Sequence, residues 1–306
     1  MILARALLLF AVVIWGWTFV ATKICLRYVD PLELIGLRFA IALPLLLALI
    51  LVRRTSLRLR DHLRTLSIAS GIFLVHFVVQ VEGLEHTSAT NTGWIIAVTP
   101  LVLVALARLF LSERIGRRAL VGIGIATVGI LLLIGNGRFA DFGWLVSKGD
   151  WLVLASAHTW ALYTIATRDL SRALDPLAVT FAVLLPATLI LAGALVLRSD
   201  ATLWSRLPAE GWAALLFLGL FGTALAQWFW QKGVSQIGAA RAGTFLFLEP
   251  LATTGLAVPY LGESLTAWTL AGGAMVLAGV WWAQRGGRSD RGGFRDPSGE
   301  AARYPG

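Results

Sequence analysis

Two long apolar stretches of this chain repeat each other. Residues 87–135 match residues 237–285 at a constant offset of 150. Pairs at this offset include Pro100 with Pro250, Glu113 with Glu263, and Gly122 with Gly272. Upstream the offset is 145, which pairs Trp15 with Trp160. A repeat of apolar, helix-length segments restricts the chain to two copies of one membrane-embedded unit, and such duplication is typical of secondary transporters.

The composition supports a membrane protein. Of the 306 residues, 58% are hydrophobic and 14% are charged, and the mean hydropathy is +0.77, whereas soluble domains carry about 25% charged residues. The formal charge of +9 lies in short loops between apolar runs, which indicates topology signals and argues against nucleic-acid binding. The lone Cys25 excludes an intramolecular disulfide and is interpreted as a small packing residue.

Hydropathy predicts an all-α integral membrane protein with ten spans, since a span needs about 20 apolar residues. The predicted spans are 3–25, 32–52, 65–84, 89–110, 117–136, 149–168, 176–197, 211–231, 239–260 and 265–284. Because each copy then holds an odd number of spans, the second copy enters the membrane inverted. The predicted units are a first five-helix repeat at 1–136, an inverted second repeat at 137–284, and a disordered cytoplasmic tail at 285–306.

The distribution of basic residues predicts the orientation. With both termini in the cytoplasm, nineteen Lys and Arg lie on the inner side and seven on the outer side. Short cytoplasmic loops are enriched in these residues. The first apolar run is expected to remain as a helix rather than to be removed as a signal peptide, since its partner near Trp160 is internal.

One face of the first predicted helix carries polar and aromatic side chains in both copies. Trp15, Thr18 and Thr22 follow helical spacing. Their counterparts are Trp160, Tyr163 and Thr167. A stripe that recurs in both copies favours the lining of a shared cavity. Ordinary helix packing is the alternative, because threonine hydroxyls can bond to their own helix.

A second stripe lies on the fourth and ninth predicted helices. Asn91, Ile95 and Thr99 are spaced by four, and their counterparts are Arg241, Phe245 and Glu249. A carboxylate such as Glu249 near the midplane costs several kcal/mol unless it is neutral, paired or facing water. It is therefore a candidate for binding a cationic group of a substrate or for carrying a coupling proton, and a structural role beside a neighbouring helix is the alternative. Pro250 and Pro100 are expected to disturb the two helices beside these positions.

Further polar and aromatic residues lie at membrane depth. His76 and Gln80 share one face, and Gln227 and Trp94 are additional candidates for substrate contact. His76 and His158 are proton-coupling candidates, with interhelical hydrogen bonding as the equal alternative. Arg38 is expected to be a weaker candidate, because from its position near the helix end it can extend towards the interface.

Several paired residues are interpreted as structural. Glu113 and Glu263 each precede a helix, whose positive N-terminus a carboxylate complements. Gly122 and Gly272 belong to small-residue faces that favour close helix packing.

The sequence favours a carrier over an enzyme or a channel. It contains no catalytic signature such as HExxH or GxSxG, and no Walker motif. The polar positions are too few and scattered for the rings of a pore. No cofactor and no metal site is expected.

The chain resembles the EamA branch of the drug/metabolite transporter superfamily over nearly all of residues 5–284. The resemblance rests on the order and spacing of short motifs. These are WGWTF at 15–19 with Lys23, Asp30-Pro31, Arg38-Phe39, LSE at 111–113, Glu249-Pro250, LGE at 261–263 and the helix glycines. It implies ten helices, an inverted repeat, a central cavity and transport of amino acids, other metabolites or drugs, often outward. Trp17-Thr18 stands where the family commonly has an asparagine, and position 183 is valine where a second copy of Arg38 would lie.

The function predicted from the sequence is export of a small organic solute by alternating access, in a bacterial inner membrane. The alternatives are import of a metabolite or carboxylate by the same fold, or a non-transporting scaffold or receptor. The expected partners are a small-molecule solute and the lipid bilayer, with no nucleic acid; a homodimer is one candidate assembly.

Overall fold

The computed structural model describes residues 2–111, 117–135, 147–198 and 203–285. Regular structure within these ranges is helical, with no strand. The predicted role of Glu113 and the predicted disorder after Arg285 lie outside the described residues.

The first part of the chain contains six α-helices and one short 3-10 turn, Arg60–His62. The helices are α1 (Ile2–Cys25), α2 (Pro31–Arg53), α3 (Leu63–Glu85), α4 (Ala89–Ile96), α5 (Thr99–Leu111) and α6 (Arg117–Gly135).

The second part continues with α7 (Lys148–Arg168), α8 (Leu170–Ala173), α9 (Pro176–Arg198), α10 (Leu203–Arg206) and α11 (Ala209–Leu216). A π-helical segment, Phe217–Leu225, joins α11 to α12 (Ala226–Ile237). The chain then forms α13 (Ala239–Ala242), a 3-10 segment (Gly243–Leu248), α14 (Glu249–Leu261) and α15 (Ala267–Arg285).

Within the described ranges, five helical stretches are long and apolar enough to cross a membrane. They are Ile2–Cys25, Pro31–Arg53, Arg60–Glu85, Pro176–Leu197 and Ala209–Ile237. Shorter apolar stretches are Ala89–Leu103, Leu120–Gly135, Phe245–Leu261 and Ala267–Gly279. The protein is therefore an all-helical, multi-pass membrane protein.

The start of α2 shows why the Asp30-Pro31 pair is useful. The Asp30 side chain accepts a hydrogen bond from the Glu33 amide, and the Glu33 carboxylate accepts one from the Asp30 amide, each at 2.9 Å. Pro31 occupies the first turn, where its missing N–H is not needed. Glu33 also pairs with Arg206 at 2.8 Å. These bonds fix the position at which α2 begins, and hence the depth of Arg38 in the helix.

Two of the predicted helices are interrupted at corresponding places. Between α4 and α5 the helix is broken at residues 97–98, directly before Thr99 and Pro100. The 3-10 segment 243–248 ends directly before Glu249 and Pro250. Proline in the first turn starts the new helix, since its fixed φ suits that position. The interruptions place Thr99 and Glu249 at helix starts instead of mid-helix.

The helices α6 and α15 are antiparallel and make the closest helix pair. A Cβ on Gly272 would lie 2.6 Å from Gly129 O, and one on Gly279 would lie 2.5 Å from Gly122 O. Only glycine permits backbones to approach this closely. The contact thus depends on the glycines of both copies.

Candidate functional site

The central feature of the bundle is a narrow cavity lined by both copies of the repeat. It has about 40 Å³ of space open to the centre of a water molecule, which is enough for a few waters. Its lining residues are Trp15, Thr18, Phe19, Arg38, His76, Phe77, Gln80, Ile96, Trp160, Gln227, Leu246 and Glu249. A cavity of this size must widen before an organic solute can enter it.

Glu249 is the acidic group of the cavity. The side chain is buried, and its Oε2 has no hydrogen-bond partner among the described residues. The backbone beside it is held by α1, since a Cβ on Gly16 would lie 2.8 Å from Glu249 O. Because a buried carboxylate oxygen without a partner is costly, Glu249 is available to bind a proton, a water or a cationic group.

Arg38 is the basic group of the cavity, and the expectation that its side chain extends towards the interface is wrong. It is only 3% exposed, and its Nε donates to Thr223 Oγ1 at 2.9 Å. Its guanidinium carbon lies 4.6 Å from the centre of the Phe77 ring. The guanidinium stays inside because the π-helical segment approaches α2 at Gly219, where a Cβ would meet Arg38 O at 3.1 Å.

Aromatic rings form one wall of the cavity. Trp15 contacts Trp160 edge-on at 5.0 Å and Trp230 at 5.3 Å between ring centres. The Trp15 Nε1 donates to Gly222 O at 3.0 Å. This carbonyl lies in the π-helical segment, a helix type often found at functional sites. The bond fixes the Trp15 indole, which lines the cavity.

His76 is held by the second copy. Its Nδ1 lies 3.1 Å from Ser156 O and 3.2 Å from Thr159 Oγ1, both on α7. A carbonyl only accepts, so Nδ1 carries the hydrogen in the Ser156 bond. The ring centre is 5.1 Å from that of Trp160. His76 therefore joins α3 to α7 while also lining the cavity.

A polar network lies beyond the aromatic wall. Gln231 Nε2 donates to Tyr163 Oη at 2.8 Å and contacts Thr167 Oγ1 at 3.3 Å. Ser171 Oγ donates to Gln231 Oε1 at 2.6 Å. These bonds tie α7 and α8 to α12. At the offset of 145, the counterparts of Tyr163, Thr167 and Ser171 are Thr18, Thr22 and Leu26.

Glu263 caps a helix, though not the one expected from sequence. Its Oε1 and Oε2 accept the amides of Ala89 and Thr90, each at 2.8 Å, at the N-terminus of α4. The expectation that it serves the following helix is therefore corrected. The distance along the chain hid this pairing, because it joins the end of the second copy to the middle of the first.

One group at the end of α3 has the composition of a metal site. Ligand atoms of Glu82, Glu85 and His86 lie within 4.8 Å of one another. Lys148 Nζ, however, lies 2.7 Å from Glu82 Oε1. An ammonium group in this position explains the cluster as an ion-pair network that joins α3 to α7.

A family profile for the EamA-like transporter family matches residues 3–135 and 147–284. The chain belongs to the EamA-like transporter family. The chain is 26% identical to an uncharacterised transporter of Bacillus subtilis, YyaM, over 87% of this chain and 88% of the relative. A probable amino-acid metabolite efflux pump of Salmonella typhimurium is 29% identical over 90% of this chain and 92% of the relative.

A solved crystal structure shares the fold. It has a TM-score of 0.70 and 21% sequence identity, and the match covers 95% of this chain and 99% of the solved one. Membership of this family makes the protein a transmembrane transporter, and the names of its relatives point to transport rather than to catalysis. A transporter implies a small-molecule solute and a lipid bilayer as its partners.

The structure brings half of the residues predicted for the substrate site of this transporter to the cavity. These are Trp15, Thr18, His76, Gln80, Trp160, Gln227 and Glu249. They come from α1, α3, α7, α12 and α14, so the cavity lies between the two copies.

The other predicted residues of the substrate site lie elsewhere. Trp94 packs against α15, where a Cβ on Gly273 would lie 2.4 Å from its ring. Thr99 Oγ1 donates to Ile96 O at 2.6 Å, within the same interrupted helix. Thr22, Asn91, Tyr163 and Phe245 are not among the cavity-lining residues, and the side chain of Arg241 lies outside what the structure describes.

The two histidines predicted as proton-coupling candidates, His76 and His158, lie in different environments. His158 is exposed, and its Nδ1 contacts Leu154 O of its own helix at 2.9 Å. It faces away from the cavity that Glu249 and His76 share. Helical position alone does not tell these two histidines apart, because each is a single polar residue on an apolar helix.

Sequence reasoning missed four apolar cavity residues, Phe19, Phe77, Ile96 and Leu246. Two of them carried a usable signal. Ile96 and Leu246 are counterparts at the offset of 150, and each stands four residues before a proline. Phe19 and Phe77 carry no such signal, since apolar residues cover every face of their helices.

Proposed function

We propose that this EamA-family protein is a secondary active exporter of small organic metabolites such as amino acids, amines or drug-like solutes. The observation that carries the proposal is the cavity between the two copies, where buried Glu249 and Arg38 face the same space. Neither group is needed by a protein that only packs helices, because buried charge is costly in a membrane.

The proposed architecture is ten transmembrane helices in two inverted five-helix repeats, residues 1–136 and 137–284. Paired contacts support it. Gly122 contacts Gly279, and Gly129 contacts Gly272. At the offset of 150, Gly122 corresponds to Gly272 and Gly129 to Gly279, so each contact is the counterpart of the other. Such an exchange is expected of a two-fold relation. Because α6 and α15 are antiparallel, the axis is perpendicular to them, which is the inverted arrangement.

A second pair of contacts supports the same relation. A Cβ on Gly93 would lie 3.3 Å from Pro250 Cα, and one on Gly243 would lie 3.9 Å from Pro100 Cβ. These contacts also exchange under the offset of 150. Two such units can alternate between equivalent conformations, which is how inverted repeats give access to each side in turn.

Coupling to protons is proposed through Glu249 and through His76, which lines the same cavity. A carboxylate that is alternately protonated and bound to a substrate cation would link outward solute movement to inward proton movement. His158 is too far towards the exposed side of α7 to share this path.

The experiment is efflux from proteoliposomes that hold the full-length protein. Vesicles loaded with single amino acids or amines are diluted with and without an inward proton gradient, and the release of each solute is followed. We expect release of at least one solute class to be accelerated by the gradient. If Glu249→Gln transports normally at every pH, Glu249 has no role in the site.

Direction and localisation are tested in cells. The proposed site of action is a bacterial inner membrane with both termini in the cytoplasm. Expression of an exporter should protect cells from an excess of its solute, whereas an importer of a metabolite or carboxylate should sensitise them. In a Cys25→Ser background, a Ser56→Cys substitution places a cysteine between α2 and α3. This cysteine should react with a membrane-impermeant maleimide only when the reagent is added from the cytoplasmic side.

A further inference from the structure

The two charged groups of the cavity are not partners of each other. Within the described part of the chain, the only hydrogen bond of the Arg38 guanidinium is its Nε bond to Thr223, and Glu249 Oε2 has no partner. Both side chains line the same cavity, yet no N–O distance between them is within 4 Å. Opposite charges placed this way offer two separate binding groups to a third species in the cavity.

A direct ion pair would be the cheaper arrangement if the charges served only stability. Separate buried charges each lose hydration, and without an ion pair the protein compensates only part of that loss. The chain instead anchors each charge on its own side. Arg38 is fixed by Thr223 and Phe77, and the backbone of Glu249 is fixed by Gly16 of α1. The separation is therefore built in.

The hydrogen-bonding groups on the two sides are complementary in kind. On the acidic side, Glu249 Oε2 is a buried acceptor without a partner among the described residues, which suits a cationic N–H donor. On the basic side, the remaining N–H groups of Arg38 are donors, and a guanidinium binds carboxylates in a bidentate way. Trp15 and Trp160 offer apolar surface in the same cavity.

We propose that the cavity selects zwitterionic solutes, with Arg38 binding a carboxylate and Glu249 binding an ammonium group of the same molecule. This inference rests on the proposed transport function and narrows it. A simple amine leaves Arg38 unpaired, and a simple carboxylate leaves Glu249 unpaired. Either case keeps one buried charge without compensation, which weakens binding.

The test uses probes that share one apolar body and differ only in charge. The first set is phenylalanine, phenethylamine and 3-phenylpropanoate, and the second is leucine, isoamylamine and 4-methylpentanoate. Binding is measured as ligand-induced thermal stabilisation of the purified full-length protein, and transport as counterflow in proteoliposomes. We expect the zwitterion of at least one set to bind about tenfold or more tightly than its two partners, since a charge-assisted bond contributes that much.

Two substitutions test the contributions of the two charged groups one at a time. Arg38→Gln should abolish the advantage of the zwitterion over the amine, and Glu249→Gln should abolish its advantage over the carboxylate. The controls are Arg64→Gln and Glu210→Gln, which remove exposed charges outside the cavity and should leave the order of the probes unchanged. The comparison of probes on the unaltered protein does not depend on any variant folding.

The outcomes distinguish the inference from the function beneath it. Counterflow of an amine or a carboxylate that equals that of its zwitterion shows transport and overturns zwitterion selection. The same holds if both cavity substitutions leave the order of the probes intact. Absence of counterflow and of stabilisation for every probe in both sets overturns the proposed function, and the inference with it.

Discussion

Gly222 offers a sharp test of how α1 and the π-helical segment fit together beside the cavity. Its carbonyl accepts the Trp15 indole at 3.0 Å. A Cβ at this position would lie 2.5 Å from Thr18 Cγ2, 3.5 Å from Arg38 Nη2 and 3.8 Å from Thr18 Cβ. One methyl group of one neighbour thus causes the whole clash, because the next contact is an ordinary van der Waals distance.

We expect Gly222→Ala to destabilise the protein by about 1–3 kcal/mol, the usual cost of overpacking. Thr18→Ser removes the clashing methyl group and keeps the hydroxyl that donates to Trp15 O at 2.6 Å. Alone it should cost about 1 kcal/mol, as other deletions of one buried methyl do. In the double variant the nearest neighbour of the new Cβ is at 3.5 Å, so most of the cost of Gly222→Ala should disappear.

The assay is thermal unfolding of the purified protein in detergent, followed by intrinsic tryptophan fluorescence. A destabilisation of 1 kcal/mol lowers the midpoint by about 2–4 °C in chains of moderate length, so the single glycine variant should lie several degrees below the unaltered protein. Gly255→Ala is the control, since nothing lies within 4 Å of its Cβ position; it should be neutral or slightly stabilising.

The reasoning is refuted if the two substitutions are additive within about 0.5 kcal/mol, the limit for independent sites. Additivity would mean that the clash with Thr18 is relieved by a movement elsewhere. A Gly222→Ala variant as stable as Gly255→Ala would refute the close approach itself.

Three further predictions concern the contacts that hold the bundle together. Gly272→Ala places a Cβ 2.6 Å from the backbone oxygen of Gly129 and should lower the unfolding midpoint clearly more than Gly255→Ala does; equal midpoints contradict the close packing of α6 on α15. Glu263→Ala leaves two amides at the start of α4 without their acceptor and should cost about 1–2 kcal/mol, as loss of a helix cap does. Glu263→Gln should recover part of that midpoint, and no difference between the two variants speaks against a capping role. Gln231→Leu removes three side-chain contacts between α12 and α7–α8 and should lower the unfolding midpoint below that of Gly255→Ala; equal midpoints contradict a structural role for this network.

Sequence reasoning located the cavity helices better than the cavity itself. Trp15, Thr18 and Trp160 are found from the duplication and from helical spacing, because residues on one face share an environment. Thr99 was placed by the same rule but does not line the cavity. Its predicted helix is interrupted at residues 97–98, so a regular spacing no longer keeps its residues on one face.

Arg38 marks the limit of reasoning along one helix. At this position in the helix, the Arg38 side chain can either extend to the membrane interface or stay buried with its guanidinium inside the bundle. The choice depends on α2 meeting the π-helical segment at Gly219 and Gly222, which lie more than 180 residues further along the chain. No local pattern reports that approach.

The sequence by itself determined that this protein is a duplicated, all-helical membrane transporter, and that Glu249 is an unusual charge. Hydropathy, periodicity and repetition can be seen in the sequence of each segment, and whether a segment crosses the bilayer depends mainly on its own length and hydropathy. Only the tertiary structure decided that Arg38 faces Glu249 across one cavity, and that Glu263 caps α4. These outcomes depend on which helices approach each other closely, and the approach is set by glycines distant in the chain, whose contacts exist only after the two copies have packed together.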